Sequence, residues 1–212
     1  MLMEREGILV VISGFAGVGK GTIVKGLIAG YDNYALSVSM TTRQPREGEV
    51  EGQSYFFVTK EEFEKKIEEN GLIEHACYVG NYYGTPRAYV EDMLAKGKDV
   101  ILEIEIQGAR NIKKQYPDAV LIFVCPPSAT ELKNRLVGRG TETPDVVEKR
   151  MRRAVEESEG IFEYDYIVVN DEVDKAIAVT HNIIETMHSA PKRNRAFVTS
   201  IQNELEDIAK GE

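Results

Sequence analysis

The sequence predicts an α/β fold in which helices cover both faces of a parallel β-sheet. Two observations lead to this prediction. Short apolar runs alternate with helical patterns along most of the chain, and a glycine-rich turn joins the first run to the first helix. Such runs are typical of strands buried on both faces of a sheet. The four runs are residues 8–12, 100–105, 120–124 and 166–169.

The remaining elements follow from local patterns. Lys20–Ala29 is predicted to be the first helix, and Thr85–Pro86 is predicted to start another, with threonine as the cap and proline in the first turn. Residues 31–84 interrupt the alternation and are rich in Tyr, Thr, Gly and Arg, which favours a small β-containing insertion. Residues 189–198 are predicted to be a polar connector before a short final helix at 199–209.

Composition excludes several classes of protein. The 212 residues are 42% apolar and 29% charged, so the chain can form a core. A net charge of −9 argues against nucleic-acid binding, which needs a basic surface. Cys77 and Cys125 lack metal-like spacing, and reduced thiols favour a cytoplasmic location. The longest apolar stretches are too short to span a membrane, and the acidic start argues against a secretory signal.

A phosphate-binding loop is predicted where the first strand meets the first helix. Glycines in this position let backbone N–H groups converge on phosphate oxygens, and the lysine supplies a mobile cation. The P-loop comprises Gly14, Phe15, Ala16, Gly17, Val18, Gly19, Lys20, Gly21 and Thr22. Gly21 stands where the pattern has Ser or Thr, so we expect magnesium to be held through water. The alternative is a glycine turn with a surface lysine.

Two arginines and several hydroxyl groups follow in the insertion. Arg43 and Arg46 lie three apart around a proline, and Tyr55 comes shortly after. Paired guanidinium groups and tyrosine hydroxyls suit a phosphate dianion. Residues 80–85 form a similar hydroxyl-rich turn. A solvated basic loop is the alternative interpretation.

Carboxylates occur where a nucleobase could be recognised. Glu103 and Glu105 are predicted to project from the same side of a strand, at the end where doubly wound folds bind ligands. Glu74 lies in another strand-like segment. An ionised carboxylate accepts the adjacent N–H groups of guanine, whereas adenine has no N1–H to donate. A solvated strand edge or an ion pair is the alternative for each glutamate.

Three further arginines surround a second glycine-containing segment. Arg135 and Arg139 are one helical turn apart, and Arg150 follows residues 138–144. A hinged lid that brings arginines over a phosphoryl group would stabilise the charge of its transfer. Ordinary arginines on a helix surface are the alternative.

The order of these motifs resembles that of bacterial guanylate kinases over roughly residues 7–188. The resemblance rests on residues 14–22, 37–43, 46–55, 80–84, 102–108, 139–143 and 168–171. It implies a P-loop nucleoside monophosphate kinase fold with a five-stranded parallel sheet. It also implies a GMP-binding insertion at about 38–95, a helical lid at about 138–155, and a polar tail with a short helix at 189–212.

The resemblance assigns roles residue by residue. ATP would lie on the P-loop beside Asn170. The resemblance implies catalytic roles for Lys20, Arg43, Arg135, Arg139 and Arg150. GMP would contact Ser39, Arg43, Arg46, Glu49, Tyr55, Glu74, Tyr83, Thr85, Glu103 and Glu105. The chain departs from the commonest family pattern at Ala16, where Ser is usual, and at Glu103 and Glu105, where Asp is frequent.

The implied activity is transfer of the γ-phosphoryl group of ATP to GMP, with Mg²⁺ as cofactor and no nucleic-acid or membrane partner. The chain would be a monomer or a homodimer, open without ligands and closed with them. Three alternatives remain: a scaffold that has lost catalysis, a kinase for a ribose bisphosphate, and a P-loop ATPase. The intact Lys20 argues against the first and the paired carboxylates against the second. An ATPase would have no use for the acceptor arginines.

Overall fold

The computed structural model describes residues 6–78, 80–138 and 143–210. The strands are β1 (Leu9–Gly14), β2 (Tyr34–Leu36), β3 (Met40–Thr41), β4 (Phe56–Phe57), β5 (Leu72–Tyr78), β6 (Asn81–Pro86), β7 (Asp99–Glu103), β8 (Val120–Cys125) and β9 (Tyr166–Val169). The α-helices are α1 (Lys20–Gly30), α2 (Lys60–Glu68), α3 (Arg87–Ala95), α4 (Ile106–Gln115), α5 (Ala129–Gly138), α6 (Pro144–Glu159), α7 (Val173–His188) and α8 (Arg195–Lys210).

The main sheet contains five parallel strands in the order β2-β7-β1-β8-β9. This confirms the predicted five-stranded parallel sheet. Val10 lies at the centre, opposite Ile101 on one side and Val120 on the other. The turn after β1 therefore emerges between the carboxyl ends of β7 and β8, where open α/β sheets bind ligands.

Alternate residues of β1 pack into two separate cores. Val10 and Ile12 pack on the face covered by α1, α5, α6 and α7. Leu9 and Val11 pack on the opposite face, covered by α3 and α4. Burying each such side chain contributes roughly 1.5–3 kcal/mol. This double burial explains why the strands read as continuous apolar runs rather than as alternating patterns.

A second sheet lies within the predicted insertion. Its strand order is β4-β3-β6-β5, with β3 and β4 parallel and the other pairs antiparallel. Met40, Phe63 and Leu72 form a small core beneath it. Thr59 and Glu62 form a reciprocal capping box that begins α2, and Phe63 of that helix packs into this core.

Several predicted boundaries were wrong. The segment 31–84, predicted to be an insertion, begins with β2, which pairs with β7 in the main sheet. β7 ends at Glu103, because the carbonyl of Glu105 already accepts the first hydrogen bond of α4, from the Ala109 N–H at 3.0 Å. Thr85–Pro86 belongs to β6, paired with β5, and α3 begins only at Arg87. The final helix begins at Arg195, four residues earlier than predicted.

Helix α8 has no buried residue and carries the exposed apolar side chains Phe197, Val198, Ile201, Leu205 and Ile208. Across the described ranges, no helix combines the length and the apolar character that crossing a membrane requires.

A buried carboxylate joins four parts of the main domain. Asp99 is fully buried at the start of β7. It accepts hydrogen bonds from the Ile8 N–H (2.8 Å), the Asn33 side-chain amide (3.0 Å) and Nε2 of His188 (2.9 Å). These bonds tie β7 to the start of β1, the turn before β2 and the end of α7.

Asp99→Asn is expected to lower the free energy of unfolding by about 1–3 kcal/mol, because an amide NH₂ would face donors that need an acceptor. Urea unfolding followed by circular dichroism measures the change. Asp92→Asn is the matched control, since Asp92 is exposed on α3 and pairs only with the exposed Lys96 among the described residues. Equal stabilities for the two variants would contradict the structural role of Asp99.

Candidate active site

The P-loop leaves β1 and opens α1, as predicted. Gly14 approaches β8 so closely that a Cβ atom there would lie 2.4 Å from the Val124 carbonyl oxygen. Gly19 has a φ of 95°, in the left-handed region, where a residue with a side chain is strained. The loop therefore needs glycine at both positions to expose its backbone N–H groups in front of the helix N-terminus.

Lys20 and Asn170 donate hydrogen bonds to backbone carbonyl oxygens of the P-loop. The Lys20 ammonium donates to the carbonyl oxygens of Gly14 (2.7 Å) and Phe15 (3.2 Å). Asn170 is buried after β9, and its amide donates to the carbonyl oxygen of Val18 at 2.8 Å. Arg135 of α5 donates in turn to the Asn170 carbonyl oxygen at 2.9 Å. The structure therefore brings one of the predicted lid arginines to the predicted ATP side.

Arg43 lies in a cluster with Glu49 and two tyrosines. Its guanidinium group makes a bidentate pair with Glu49, at 2.9 and 2.8 Å, and lies 5.3 Å from the ring centroid of Tyr55. The Glu49 carboxylate raises the pKa of Arg43 above its usual value. Tyr83 lies beside Tyr55, with ring centroids 6.1 Å apart. Glu49 also accepts the backbone N–H of Arg46 at 2.7 Å.

Glu74 is the most deeply buried carboxyl group of the predicted site, with 5% of its surface exposed. The Thr85 hydroxyl donates to it at 2.7 Å across the β5–β6 pair. A Cβ atom at Gly108 would lie 3.0 Å from Glu74 Oε2, so glycine lets the carboxyl group approach the first turn of α4. Burial raises the pKa of Glu74 to about 7, although the Thr85 hydrogen bond acts in the opposite direction.

Glu103 and Glu105 occupy different positions from the paired arrangement that the sequence predicts. Glu103 is exposed at the end of β7, and its Oε2 lies 3.6 Å from the place that a Cβ of Gly21 would occupy. Glu105 is exposed at the cap position of α4. Glu103 therefore faces the P-loop. Glu105 instead lies at the start of α4, the helix whose first turn contacts Glu74.

Glu157 was missed by the sequence analysis. It lies on α6 with 7% of its surface exposed, and Nε of Arg153 approaches its carboxyl group at 3.3 Å. Burial, with a further contribution from the Glu105 charge, raises the pKa of Glu157 to about 7. The available signal was spacing, because Arg150, Ala154 and Glu157 recur at helical intervals and share one face of α6.

The other predicted residues lie around these clusters. Ser39 is half-buried, and its carbonyl oxygen accepts the Phe56 N–H at 2.9 Å. The Arg46 side chain is exposed. Arg150 is half-buried on α6. Arg139 lies outside the described residues.

Fold and site together define a P-loop phosphotransferase. A phosphate-binding loop lies at the centre of a parallel sheet, and arginines and buried carboxyl groups occupy the neighbouring elements. The arrangement can hold one phosphorylated molecule on the loop and a second one against the insertion.

Comparisons with known proteins identify the family. The family model for guanylate kinase matches residues 6–187. The guanylate kinase of Halalkalibacterium halodurans is 52% identical over 192 residues, covering 90% of this chain and 94% of the relative. That of Lactiplantibacillus plantarum is 50% identical, covering 90% and 93%. The crystal structure of guanylate kinase from Anaplasma phagocytophilum superposes with a TM-score of 0.75 at 33% identity, covering 90% of both chains. The chain belongs to the guanylate kinase family.

The raised pKa of Glu74 makes stability depend on pH. The folded state keeps the proton up to about pH 7, whereas an unfolded glutamate loses it near ~4.3, so this group lowers the free energy of unfolding as pH rises between these values. Glu74→Gln removes the titration and should be more stable than the parent above pH 7, by roughly 2–3 kcal/mol.

Denaturant unfolding of both proteins between pH 5 and pH 8 measures this difference. The exposed Glu68 of α2 provides the control variant, Glu68→Gln. A difference between Glu74→Gln and the parent that stays constant across this range would contradict the assignment of the titration to Glu74.

Proposed function

We propose that this member of the guanylate kinase family transfers the γ-phosphoryl group of ATP to GMP, giving ADP and GDP. The observation that carries the proposal is the buried carboxyl group of Glu74, which has a single hydroxyl partner among the described residues. Burying such a group is costly unless a ligand supplies hydrogen-bond donors. Guanine supplies two adjacent N–H donors on its Watson–Crick edge.

In this proposal, the base is read by Glu74 with help from Thr85, Ser39 and Glu105. Thr85 occupies one oxygen of Glu74, which fixes the carboxyl group and leaves the other oxygen for the base. Adenine would present its N1 lone pair to that carboxylate. The wrong base therefore leaves a desolvated charge unpaired, which gives strong discrimination.

The acceptor phosphate is assigned to Arg43, Arg46, Tyr55 and Tyr83. Glu49 has a different role from the direct contact that the resemblance implies. A carboxylate would repel a phosphate, whereas its bidentate pair with Arg43 holds that guanidinium group in place before the substrate arrives. Preorganised charge-assisted donors are what recognition of a phosphate dianion needs.

The donor phosphates are assigned to the P-loop. Its backbone N–H groups and the α1 N-terminus favour anions, and Lys20 can exchange the carbonyl oxygens of Gly14 and Phe15 for phosphate oxygens. Asn170 is proposed to lie beside adenine while its amide supports the loop from below.

Phosphoryl transfer is proposed to require the three arginines that surround the second glycine-containing segment. We assign Arg135, Arg139 and Arg150 to the charge that spreads over the transferring group. The proposed lid covers about 138–155 and the GMP-binding insertion about 38–95, within a catalytic domain of 7–188. Residues 189–212 form the tail. Ligand phosphates would neutralise arginines on both segments, so closure should accompany binding.

The residues near the loop fit a Mg²⁺ ion that arrives with ATP. Mg²⁺ prefers oxygen ligands and keeps several waters. Gly21 offers no hydroxyl, but the Glu103 carboxylate lies beside it and the Thr22 hydroxyl follows it. These oxygens suit contact through water rather than direct ligation. When bound, the ion neutralises phosphate charge during transfer.

The reaction needs no general base. A phosphate oxygen of GMP is already anionic and can attack the γ-phosphorus in line, with ADP as the leaving group. The chain's own contribution is to position the two phosphates, to neutralise their charge with lysine and arginine, and to exclude water on closure. A cytoplasmic location remains a prediction from the cysteine content.

An acceptor panel tests the proposal. ADP release is measured in a coupled assay with GMP, AMP, UMP and a ribose bisphosphate, each at several concentrations. GMP should give a kcat/KM at least about a hundredfold above every other acceptor, since only guanine pairs the buried carboxyl group. Equal rates with and without any acceptor would indicate an ATPase, and preference for the ribose bisphosphate would indicate a sugar-phosphate kinase.

Lys20→Ala is the catalytic control for this panel. It should lower turnover with GMP by more than about tenfold, a change of at least ~1.4 kcal/mol in the barrier, while the protein remains folded. Lys25→Ala, on the exposed side of α1, is the matched variant and should keep parental activity. Full activity of Lys20→Ala would contradict its P-loop role.

A further inference from the structure

The strands on either side of the P-loop separate at the carboxyl end of the main sheet. The pairing of β1 with β7 ends at Ile12 and Glu103, whereas β1 stays paired with β8 for two further residues, up to Gly14 and Val124. The paired backbone of β1 therefore stops short of the turn between β7 and α4. That turn contains Glu105, which the proposed function assigns to the base.

A side-chain hydrogen bond continues the link where the backbone pairing stops. Ser13, the next residue of β1, is 1% exposed, and its hydroxyl donates to the carbonyl oxygen of Ile104 at 2.7 Å. Because side chains alternate along a strand, Ser13 is on the same face of the sheet as Val11, which is the face that α4 covers. Ile104 lies between Glu103 and Glu105. The Ser13 hydroxyl therefore fixes the backbone between these two carboxylates.

The strand that supplies this hydroxyl is firmly packed on its other side. Ser13 lies opposite Phe123 of β8 in the parallel pairing. Phe123 is fully buried and packs edge-on against Phe15 of the P-loop and against Tyr164, with ring centroids 5.1 Å apart in both pairs. Aromatic pairs of this kind stabilise a core beyond the area that they bury. The hydrogen bond therefore places the turn relative to a fixed P-loop.

We propose that Ser13 is a positioning residue of the acceptor site, which holds the turn between β7 and α4 so that Glu105 can assist in reading the base. This inference rests on the proposed function. Glu105 follows the bonded carbonyl directly and occupies the cap position of α4, so a shift of that carbonyl displaces the Glu105 side chain. Ser13 acts through Glu105 rather than by contact with GMP.

Ser13→Ala removes the hydroxyl and changes the volume of the side chain little. The Kd for GMP, measured by calorimetric titration of the full chain with GMP alone, should rise about fivefold, which is the effect of losing one net hydrogen bond. The KM for GMP should rise with it. The KM for ATP should change less than about twofold, because the pairing with β8 still holds the P-loop.

Thr180→Val is the matched control. Thr180 is also fully buried, and its hydroxyl donates to the carbonyl oxygen of Ala176 at the same distance of 2.7 Å. This bond lies within α7 and holds no residue that is assigned to a substrate. Thr180→Val should therefore bind GMP as tightly as the parent protein.

A double-mutant cycle separates positioning from a merely structural role. If Ser13 acts through Glu105, Ser13→Ala should weaken GMP binding less than about twofold further in a Glu105→Ala background. In an Arg46→Ala background the effect of about fivefold should persist, because Arg46 is assigned to the phosphate of GMP. If Ser13→Ala does not fold, Ser13→Cys takes its place in the same cycle, since the thiol is a weaker donor.

Three outcomes would overturn the proposal: a parental Kd for GMP in folded Ser13→Ala, equal increases of both KM values, or additive effects of Ser13→Ala and Glu105→Ala. Failure of the proposed function is distinguishable, because the parent protein itself would then neither bind nor phosphorylate GMP in the same series.

Discussion

Burial of the Glu74 carboxyl group is the constraint on which the acceptor site depends. Its desolvation is tolerated because the group can hold a proton up to about pH 7. The surrounding structure serves this burial: Thr85 fixes one oxygen, and Gly108 leaves room for the other against α4. A ligand that offers two N–H groups can stabilise the ionised form. Burial of this carboxyl group lowers the stability of the fold, but it also makes binding selective for a base with two adjacent N–H donors.

The cations proposed to bind the two phosphates are also held in place by protein groups before a ligand binds. Arg43 is held by Glu49 and Lys20 by loop carbonyls, so each cation already has a partner that a phosphate oxygen can join or replace. These groups are placed by the ends of strands and the starts of helices. The central position of β1 puts the P-loop between β7 and β8, and Glu103 at the end of β7 brings a carboxyl group beside it.

Local features of the structure were predictable from the sequence, and long-range ones were not. The P-loop is a local pattern, and the doubly buried strands appear as apolar runs. Thr85 was misplaced because its hydroxyl pairs with Glu74, eleven residues away, instead of capping α3. Glu105 left the predicted strand because α4 begins there. Glu157 became visible only when folding buried it on α6, and the resemblance to guanylate kinases gave no role for it.

The ratio of kcat/KM for GMP to that for AMP, compared between the parent and Glu74→Gln, tests the central claim most directly. The amide keeps the size of the side chain and its bond from Thr85 but turns one acceptor into a donor. We expect the ratio to fall at least about thirtyfold, because GMP loses on the order of 2–4 kcal/mol and AMP is relieved of a lone-pair clash. A ratio that stays at the parental value in a folded, active variant would show that the base is read elsewhere.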